Sequence, residues 1–445
     1  MILSLLVAAP AALAPLQDAT WPSFRGPSGN GVVAAHPLRW NDEENLAWKV
    51  EVPGGGWSSP VVVEDRVFIT TAVQPDKEGG GRPLGFMGGV RMPESRGGGA
   101  KAPEKPMSFQ VRAYSLESGE LVFEKELASR APAHGIHPCN TYATESPATD
   151  GERVVCYFGA IGLVACVDLE GELIWEQELG MFEINADFGT GSAVAIGGGN
   201  VFIQNDNNES SFVVAFSMED GKQAWRVERP KGTAWASPTM WTHGDVTDLV
   251  VCGPDSVTGY APESGEVRWR VEGIGGTFSA SAAASSDRLI FGNSAQMRRG
   301  PLIAIDASVD GVVDVDADVE GEESPVLWNI GRAGPGFSSP VTVNGLVWVA
   351  NSQGILTCRD AATGEELYDE RLPGLRNVVS CPWTDGEHVF VLSEGGTTVA
   401  VKAAREFEIV ATNEVDGIFW GTPSAAEGSL LLRSADSLIC VRAKD

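Results

Sequence analysis

The stretch C-R-D-A-A-T-G-E-E-L-Y at Cys358–Tyr368 decides the fold, because the same phrase recurs along the chain. It reads A-Y-S-L-E-S-G-E-L-V-F at Ala113–Phe123 and G-Y-A-P-E-S-G-E-V-R-W at Gly259–Trp269. Each copy carries a small residue on a short apolar strand, a turn centred on Gly, and a second strand with an aromatic residue. The phrase therefore predicts a β-hairpin that the chain uses more than once.

A second phrase precedes each hairpin and consists of a small hydroxyl or thiol residue, a Pro and an apolar run. Its six clear copies are Ser59-Pro60, Ser146-Pro147, Ser237-Pro238, Ser339-Pro340, Cys381-Pro382 and Thr422-Pro423, and its two degraded copies are Ser192-Ala193 and Ser281-Ala282. Where no insertion intervenes, the copies are about 41 to 46 residues apart. Short strands, Gly-centred turns and this period are typical of a β-propeller, so eight copies predict an all-β, eight-bladed propeller.

The two ends of the repeat array are incomplete in complementary ways. The last copy, from Thr422, leaves room for only three strands, whereas an outer strand around Leu46–Val52 comes before any inner strand. We expect this first strand to complete the last blade, which closes the ring and removes exposed sheet edges. The propeller is thus predicted to span residues 45–445 as one domain.

An aromatic residue marks the outermost strand of most copies. We expect these side chains to dock between neighbouring blades, because each can bury a large apolar area there. The residues are Trp48, Phe123, Trp175, Trp225, Trp269, Trp328 and Tyr368, and Phe407–Val410 takes the place in the remaining copy.

The seven cysteines invite a disulfide interpretation in which the odd count leaves at least one thiol unpaired, but the repeats point elsewhere for three of them. Aligning the repeats places Cys166, Cys358 and Cys440 at a position that holds Ala or Gly in the other copies, so we interpret them as small buried apolar residues. Cys156 lies across the predicted hairpin from the Cys166 strand, which leaves a bridge between these two thiols conceivable.

The composition limits the possible partners. The 445-residue chain has a formal charge of −28, which repels nucleic acids and anionic lipid surfaces. Its hydrophobic content of 43% is ample for a packed interior. The acidity indicates solubility or a saline habitat, with bound cations as the alternative.

The N-terminal residues resemble an export signal. Residues 1–14 form a short apolar stretch that ends in the small-x-small pattern Ala12-Leu13-Ala14, which predicts a secretory signal peptide. Pro15 and the lack of an early Lys or Arg leave an upstream start open. Residues 15–44 would be a lead-in segment. No later stretch has the roughly 20 apolar residues of a membrane span, so we expect a periplasmic or extracellular protein.

Two segments interrupt the period. Residues 74–107 are rich in Gly and Pro and predict a flexible loop with six basic residues: Lys77, Arg82, Arg91, Arg96, Lys101 and Lys105. Residues 307–325 predict an acidic, solvated loop. Asp314, Asp316 and Asp318 have the spacing that begins a calcium loop, but Val319 and Pro325 replace the Gly and Glu that such a loop requires.

Aromatic residues precede several copies of the opening phrase. In a propeller, the segments that connect an outer strand to the next inner strand reach one common face. Aromatic side chains that converge there could bind a planar ligand or a peptide, or could fill gaps between blades. The candidate ligand-binding residues are Trp57, Tyr142, Trp235, Phe337 and Trp420.

The segment H-G-I-H-P-C-N at His134–Asn140 is the other candidate site. His134, His137 and Cys139 could coordinate zinc or copper, although no fourth ligand is evident, the spacing matches no established site, and a polar entry loop is the favoured interpretation. The sequence has no Ser/His/Asp signal and no Gly-rich phosphate loop before a helix. It therefore predicts no catalytic residue.

Three longer stretches resemble a known family. W-P-S-F-R-G-P-S-G-N-G-V at Trp21–Val32, H-P-C-N-T-Y-A-T-E-S-P-A-T-D-G at His137–Gly151 and L-S-E-G-G-T-T-V-A-V-K-A at Leu392–Ala403 resemble secreted bacterial propellers with pyrroloquinoline quinone (PQQ) repeats. They are similar also to the propeller subunit of the outer-membrane barrel-assembly machine. The resemblance covers nearly all of the chain after the leader and implies an eight-bladed propeller with docking tryptophans.

The resemblance implies two alternative functions. One is a non-catalytic binding or scaffold module outside the cytoplasm, which holds a protein or polymer on its loop face and needs no cofactor. The other is a dehydrogenase for alcohols or sugars that uses PQQ and calcium in the axial mouth. The adjacent cysteines that such alcohol dehydrogenases usually carry do not occur in this chain. The sequence therefore favours the scaffold.

Overall fold

The repeats form the predicted ring of antiparallel sheets. The computed structural model describes residues 20–77, 101–295, 298–315 and 324–443. Its strands, in chain order, are β1 (Leu46–Glu51), β2 (Val61–Val63), β3 (Arg66–Val73), β4 (Met107–Ser115), β5 (Leu121–Arg130), β6 (Ala148–Thr149), β7 (Arg153–Phe158), β8 (Leu163–Asp168), β9 (Leu173–Glu178), β10 (Ala195–Gly197), β11 (Asn200–Asn205), β12 (Phe212–Ser217), β13 (Gln223–Glu228), β14 (Thr239–His243), β15 (Val246–Gly253), β16 (Ser256–Tyr260), β17 (Val267–Glu272), β18 (Ala283–Ala284), β19 (Arg288–Ala295), β20 (Arg298–Asp306), β21 (Gly311–Asp314), β22 (Val326–Ile330), β23 (Val341–Val343), β24 (Leu346–Ala350), β25 (Ile355–Asp360), β26 (Glu366–Arg371), β27 (Trp383–Thr384), β28 (His388–Leu392), β29 (Thr397–Lys402), β30 (Ile409–Glu414), β31 (Ser424–Ala426), β32 (Ser429–Arg433) and β33 (Ser437–Arg442).

In the described residues these strands make eight sheets, seven of them built around four strands of one repeat and the eighth combining three C-terminal strands with β1. Blades 1 to 7 begin at β2, β6, β10, β14, β18, β23 and β27, and blade 8 consists of β31, β32, β33 and β1. The two middle strands of each blade are apolar and buried, because sheets cover both of their faces. The predicted eight-bladed, all-β propeller is confirmed.

The chain termini meet in blade 8. Strand β1 pairs antiparallel with β33, with Lys49 opposite Ile439 and Trp48 opposite Cys440. The inner strand β2 of blade 1 contacts β31 of blade 8, so the ring is complete. The predicted closure by the N-terminal strand is confirmed.

The small residue that opens each phrase forms a hydrogen-bonded ring around the axis. At this axial position, the backbone N–H of one blade donates to the side chain of the next blade. The links run from Ser59 to Ser146, Ala193 to Ser237, Ser237 to Ser281, Ser281 to Ser339, Ser339 to Cys381 and Cys381 to Thr422, over 2.8 to 3.3 Å. A small side chain suits this position because the inner strands converge there, and in six of the eight blades that the structure describes its oxygen or sulfur accepts the link.

The ring corrects the alignment of one repeat. Ala193, and not Ser192, occupies the axial position of blade 3, because its N–H makes the link to Ser237. The sequence comparison had paired Ser192-Ala193 with the Ser-Pro phrase and was therefore wrong by one residue. Ser281 is correctly placed.

Ser281→Ala tests the ring. The change leaves the buried Ser237 amide without an acceptor, so we expect the free energy of unfolding to fall by about 1 to 3 kcal/mol. Urea unfolding measures the loss. Ser286→Ala, on an exposed turn two residues beyond β18, is the matched control. An equal effect from both substitutions would contradict the role of the ring.

Docking of the outer-strand tryptophans also follows the prediction. Four indole N–H groups donate to a carbonyl in the next blade: Trp48 to Leu116, Trp175 to Met218, Trp225 to Pro262 and Trp328 to Ala361. Each indole covers a turn glycine with φ near +70°: Gly119, Gly221, Gly265 and Gly364. A Cβ on these glycines would lie 2.6 to 2.9 Å from the indole, so the Gly of the phrase is needed for both conformation and contact.

Blade 4 departs from this pattern. The Trp269 N–H donates to Asp248 of its own blade, at 2.7 Å. Blade 5 has the insertion at residues 307–325 in place of the docking turn, and the insertion supplies β21, which pairs parallel with β17. The interpretation of this whole segment as a solvated loop was therefore wrong for Gly311–Asp314, while residues 316–323 lie outside the described ones.

Blade 7 departs in another way. In the other blades, the small residue of the third strand pairs with the outer-strand aromatic. In blade 7 that small residue, Ala400, pairs with Ala411 and not with a residue of Phe407–Val410. Trp40, from the segment before β1, is buried in the same cluster as Ala400 and Ala411. The lead-in thus supplies the large aromatic side chain that this blade lacks.

All seven cysteines are buried and free. Cys166, Cys358 and Cys440 stand opposite the outer-strand aromatics, as the repeat alignment predicted. Cys156 lies opposite Ala165, one register step from Cys166. Because successive side chains of a strand point to opposite faces, these two thiols lie in different core clusters, and the conceivable bridge is not formed.

The lead-in segment crosses the ring on the side opposite the connections between blades. Trp21 pairs with Val62 of blade 1, and Val32 bridges Thr384 of blade 7. Between them, the Asn30 amide donates to the Thr342 carbonyl of blade 6 at 2.7 Å. Because these partners belong to inner strands from across the ring, Trp21–Val32 covers the axial channel.

Several predictions concern residues outside the described ranges. The secretory signal at residues 1–14 and the central part of the basic segment, residues 78–100, belong to these. Of the predicted loop 74–107, Met107 is already the first residue of β4.

Candidate functional site

The segments that connect an outer strand to the next inner strand, here called the rim loops, carry the predicted aromatic residues. Trp57, Trp235, Phe337 and Trp420 occupy one equivalent position, two residues before the axial position of blades 1, 4, 6 and 8. Tyr142 precedes the axial position of blade 2 by four residues. The first four side chains therefore belong to one ring around the axial mouth.

Trp57 and Trp420 are brought together because blades 8 and 1 are neighbours. Their rings stack with centroids 5.7 Å apart and planes 20° apart. The Trp57 N–H donates to the Cys139 carbonyl at 2.8 Å, and the Trp420 N–H donates to Glu394 Oε1 at 2.7 Å. Glu394 is buried and also accepts from the Asn377 amide. These hydrogen bonds hold the pair of indoles rigidly across the closure of the ring.

Trp235 lies away from this pair, over blade 3. Its N–H donates to the Gly189 carbonyl at 2.7 Å, and Phe188 contacts it edge to face at 6.0 Å. Phe188 in turn contacts the ring of His137. Trp235 stays half-buried, so part of its ring faces solvent.

The two remaining aromatics differ sharply in exposure. Phe337 is 48% exposed, whereas Tyr142 is buried and its hydroxyl donates to the His134 carbonyl at 3.4 Å. Burial raises the pKa of Tyr142 to about 12, with a further contribution from the charge of Asp187. The five residues thus do not line a single pocket.

The proposed metal ligands are not brought together as a coordinating set. His137 Nδ1 accepts the Cys139 amide at 3.2 Å, and burial lowers the pKa of His137. Burial, with the Glu394 charge, raises the pKa of Cys139 to about 12, which disfavours the thiolate. Across the described ranges, no three His, Cys, Asp or Glu side chains are grouped for a metal ion.

Two adjoining depressions lie on the rim-loop face over blades 2 to 4. The first is shallow, with room for no more than about two water molecules, and its wall includes His134, Gly159, Phe182 and Asp187. The second has room for about one water molecule, and its lining comprises Tyr157, Ile184, Thr190, Gly191, Ser192, Gln204, Asn205, Asp206, Ala234 and Trp235. Ile184 and Thr190 belong to both, so the two depressions are continuous.

The loop between the depressions has a strained backbone. Ala186 and Asp187 are consecutive non-glycine residues in the left-handed region, with φ of 53° and 52°. Such conformations cost free energy and persist only where their surroundings hold them. Here the Asn185 amide donates to the Thr233 hydroxyl, and the Phe188 carbonyl accepts from Asn140.

A buried carboxyl lies beneath the first depression. Glu145 Oε1 accepts the Gly159 amide at 3.2 Å, and a Cβ at Gly159 would lie only 2.8 Å from this oxygen and from the Thr190 side chain. Burial raises the pKa of Glu145 to about 7, although hydrogen bonds with Thr190 and nearby amides oppose the shift. Glu145 therefore changes charge near neutral pH.

A buried ion pair borders the second depression. Arg229 Nε donates to Asp206 Oδ1 at 3.0 Å, and Arg229 also donates to the Tyr260 hydroxyl at 2.7 Å. Gln204 donates to Asp206 from the other side. The pair therefore contributes no net charge to this part of the face.

Sequence reasoning missed the polar residues of this region. Glu145, Ser192 and Gln204 precede or follow apolar runs without forming a motif. A positional signal could have located them: the polar run N-D-N-N at Asn205–Asn208 begins on the last residue of the buried strand β11 and continues into the turn that follows.

Arg25 fills the channel from the other side. Its guanidinium is fully buried and donates to the Ala282 carbonyl at 3.1 Å and to the Pro340 carbonyl, both at the level of the axial ring. Burial lowers the pKa of Arg25, with an opposing contribution from Cys381. The segment Trp21–Val32, which the sequence marked only by its family resemblance, thus inserts a cation into the centre of the ring.

Comparison with known families decides the affiliation of this propeller. A family model described as outer membrane protein assembly factor BamB matches residues 160–405, more than half of the chain. The chain belongs to this BamB-type family of PQQ-repeat propellers. A comparison with curated protein sequences finds no match.

Solved structures agree with the fold of the family. BamB from Moraxella catarrhalis is 12% identical with a TM-score of 0.56, over 89% of this chain and 99% of that one. A europium-containing methanol dehydrogenase is 11% identical with a TM-score of 0.62, over 95% and 91%. Quinohemoprotein alcohol dehydrogenase from Comamonas testosteroni is 12% identical with a TM-score of 0.59, over 96% and 81%. At these identities the likeness concerns the fold alone. None of the described residues belongs to a helix long and apolar enough to cross a membrane.

The residues of the BamB-type propeller at the axial mouth fit PQQ poorly. PQQ is a flat trianion that would need cations, yet the buried carboxyls Glu394 and Glu145 lie at this face. The buried guanidinium of Arg25 already donates to backbone carbonyls, and that of Arg433 to Ser58 and Thr70. Over the part of the chain that the structure describes, no three His, Cys, Asp or Glu side chains are grouped for a metal ion.

Proposed function

We propose that this protein is a non-catalytic binding and scaffold propeller that works outside the cytoplasm and holds a protein, or a cell-envelope polymer, on its rim-loop face. The observation that carries the proposal is the shape of this face. Fixed aromatic side chains surround a mouth whose channel is filled by Arg25, and the depressions beside it are shallow and open. Such a surface suits an extended partner better than an enclosed substrate.

The rim aromatics have the properties of interface anchors. Trp235 and Trp420 are held by hydrogen bonds and still expose part of their rings, so little side-chain entropy would be lost on binding. Phe337 and Met181 add exposed apolar surface on the same face. Rigid aromatic groups with an apolar surround are typical of binding hot spots.

The family supports a protein partner. The matching family model and the Moraxella catarrhalis structure both concern an outer membrane protein assembly factor, which suggests a role in assembling proteins of the outer membrane. The export signal predicted at residues 1–14 is consistent with that location.

Site-specific crosslinking tests this proposal. A photo-crosslinking phenylalanine analogue replaces Phe337, which is 48% exposed on the rim-loop face, or Val246, which is 40% exposed at the opposite face. In cells that produce the full-length protein, we expect one discrete protein adduct from position 337 and none from position 246. The same adducts from both positions, or none from position 337, would contradict the proposal.

A second measurement separates scaffold from enzyme. Purified full-length protein is titrated with PQQ and calcium and assayed for a bound chromophore and for dye reduction with methanol or glucose. We expect neither signal. A stoichiometric PQQ complex with turnover would overturn the non-catalytic assignment even if crosslinking succeeded.

A further inference from the structure

The rim loops that enter blades 5, 6 and 7 form a surface without acidic residues, here called the acid-free sector. Residues 273–280, 331–338 and 372–380, together with the turn 351–354 of blade 6, contain no Asp or Glu, although the chain has 60 of them. The turn between β28 and β29 of blade 7 contributes one acid, Glu394, and this side chain is buried. Exposed negative charge is therefore absent from these described loops.

Two unpaired cations lie in the acid-free sector. Arg332 and Arg376 are exposed on consecutive rim loops, and within the described ranges neither guanidinium has a hydrogen-bond or ion-pair partner. At blade 3, the same face instead exposes Glu183 and Glu209. The rim-loop face is thus polarised, with its positive side over blades 5 to 7.

The loops that carry these cations are held in place. Arg299 donates to the two carbonyls that directly follow Arg332, at 2.9 and 3.2 Å. The Asn377 amide, next to Arg376, donates to the buried Glu394 at 3.0 Å. The backbone that presents each guanidinium is therefore fixed before any partner binds, which lowers the entropic cost of binding.

An exposed aromatic ring lies on the first of these loops. Phe337 is 48% exposed and belongs to the same loop as Arg332. The Ser338 hydroxyl donates to the Ser380 carbonyl at 2.8 Å, which joins this loop to the loop of Arg376. The ring and both guanidinium groups thus belong to one continuous surface.

A second ring borders this surface on the side of blade 8. The half-buried Trp420 donates to Glu394 Oε1 at 2.7 Å, and Asn377 donates to the other oxygen of the same carboxyl. Because Glu394 is shared, Trp420 adjoins the loop that follows blade 6. An extended chain across these loops meets aromatic and cationic groups in turn.

The groups of the acid-free sector select the chemistry of its occupant. Unpaired guanidinium groups on a surface without carboxylates attract carboxylates, and exposed rings bury apolar side chains. A peptide segment that has both acidic and aromatic residues satisfies both demands. An anionic membrane is a poorer occupant, because the charge of −28 on the whole chain repels an extended negative surface.

We propose that the acid-free sector docks an acidic peptide segment of a partner protein, with carboxylates at Arg332 and Arg376 and an aromatic or aliphatic side chain on Phe337. This inference rests on the proposed binding function and names the kind of segment that the rim-loop face holds.

Selection from a random peptide library tests the chemistry of the partner. Phage-displayed peptides are selected on immobilised full-length protein, and the dissociation constant of the most enriched peptide is measured by fluorescence anisotropy. We expect enrichment of Asp and Glu together with Phe, Tyr or Trp. Arg332→Glu and Arg376→Glu should each raise the dissociation constant by about fivefold or more, and Phe337→Ala by about three- to tenfold.

Lys222→Glu is the matched control. It makes the same reversal of charge on the exposed turn between β12 and β13, at the opposite face, and should leave the dissociation constant unchanged. High salt should weaken binding by the wild-type protein more than binding by Arg376→Glu, because the salt screens the attraction that this variant lacks. Thermal unfolding of each variant verifies that its fold is intact.

Three results would overturn the proposal: enrichment of neutral or basic peptides, failure to select any peptide, or equal weakening by Lys222→Glu and the two arginine variants. Binding of phosphatidylglycerol vesicles through Arg332 and Arg376, without peptide binding, would also refute it. Crosslinking in cells decides the proposed function separately. A protein adduct from position 337 combined with selection of neutral peptides would retain the binding function and remove only this inference.

Discussion

Arg229→Met should lower the free energy of unfolding by about 3 to 5 kcal/mol. The substitution keeps most of the side-chain volume but leaves the carboxylate of Asp206 buried without its cation, and an uncompensated buried charge is strongly destabilising. Tyr260 also loses the hydrogen bond that its hydroxyl accepts from Arg229. Urea unfolding followed by tryptophan fluorescence measures the change.

Lys222→Met is the matched control for Arg229→Met. Lys222 pairs with Asp220 at 2.5 Å on the exposed turn between β12 and β13 of the same blade. Solvent screens that pair, so little change in stability is expected. If both variants lost the same stability, burial would not be the reason for the effect of Arg229.

Glu145→Gln should stabilise the protein increasingly as the pH rises. Folding raises the pKa of this carboxyl from 4.5 to about 7, mainly because burial disfavours the charge. Below pH 4.5 the carboxyl is protonated in both states and the substitution changes little. As the pH rises from 4.5 to 7, the folded wild-type protein loses stability relative to the unfolded chain, and above pH 7 the loss levels off at about 3 kcal/mol.

Urea unfolding of both proteins at pH 5 and pH 8 measures this effect. We expect the advantage of the glutamine variant to grow by about 2.5 kcal/mol between these values. The comparison cancels contributions from other titrating groups, because wild type and variant share them. A constant difference at the two pH values would refute the raised pKa of Glu145.

Much of the blade architecture could be predicted from local patterns. The Gly-centred hairpin phrase places a small residue opposite an aromatic one, and the register pairs Cys358 with Tyr368 and Ala215 with Trp225 accordingly. This succeeded because each blade buries the same positions against its neighbours, so every copy is subject to the same steric demand.

The failures occurred where a residue's neighbour is distant in sequence. The repeat of blade 3 was misaligned by one residue because Ser192 matches the Ser of the opening phrase. Only the hydrogen bond from the Ala193 N–H to Ser237 shows that Ala193 holds the axial position. The part of residues 307–325 that forms β21 was interpreted as loop because a four-residue strand has too little pattern to detect, and its partner β17 lies about 40 residues earlier.

The candidate site was recognised in part. The position of Trp57, Trp235, Phe337 and Trp420 before the opening phrase placed them on one face, since their distance from the axial position is fixed by the repeat. The stacking of Trp57 on Trp420 was not foreseeable, because it follows from closing the ring between two residues more than 350 positions apart. The surface shared by Arg332 and Arg376 could not be chosen either, since contact between their loops is a property of packing.

By itself, the sequence determined the number of blades, the closure by the N-terminal strand and the face on which the aromatics lie. These are consequences of periodic burial, which a repeated pattern records directly. Only the tertiary structure decided that Arg25 fills the axial channel, that Asp206 and Arg229 neutralise each other, and that the loops of Arg332 and Arg376 form one surface. Those features arise where non-repeated residues from distant parts of the chain meet, and no local pattern encodes such meetings.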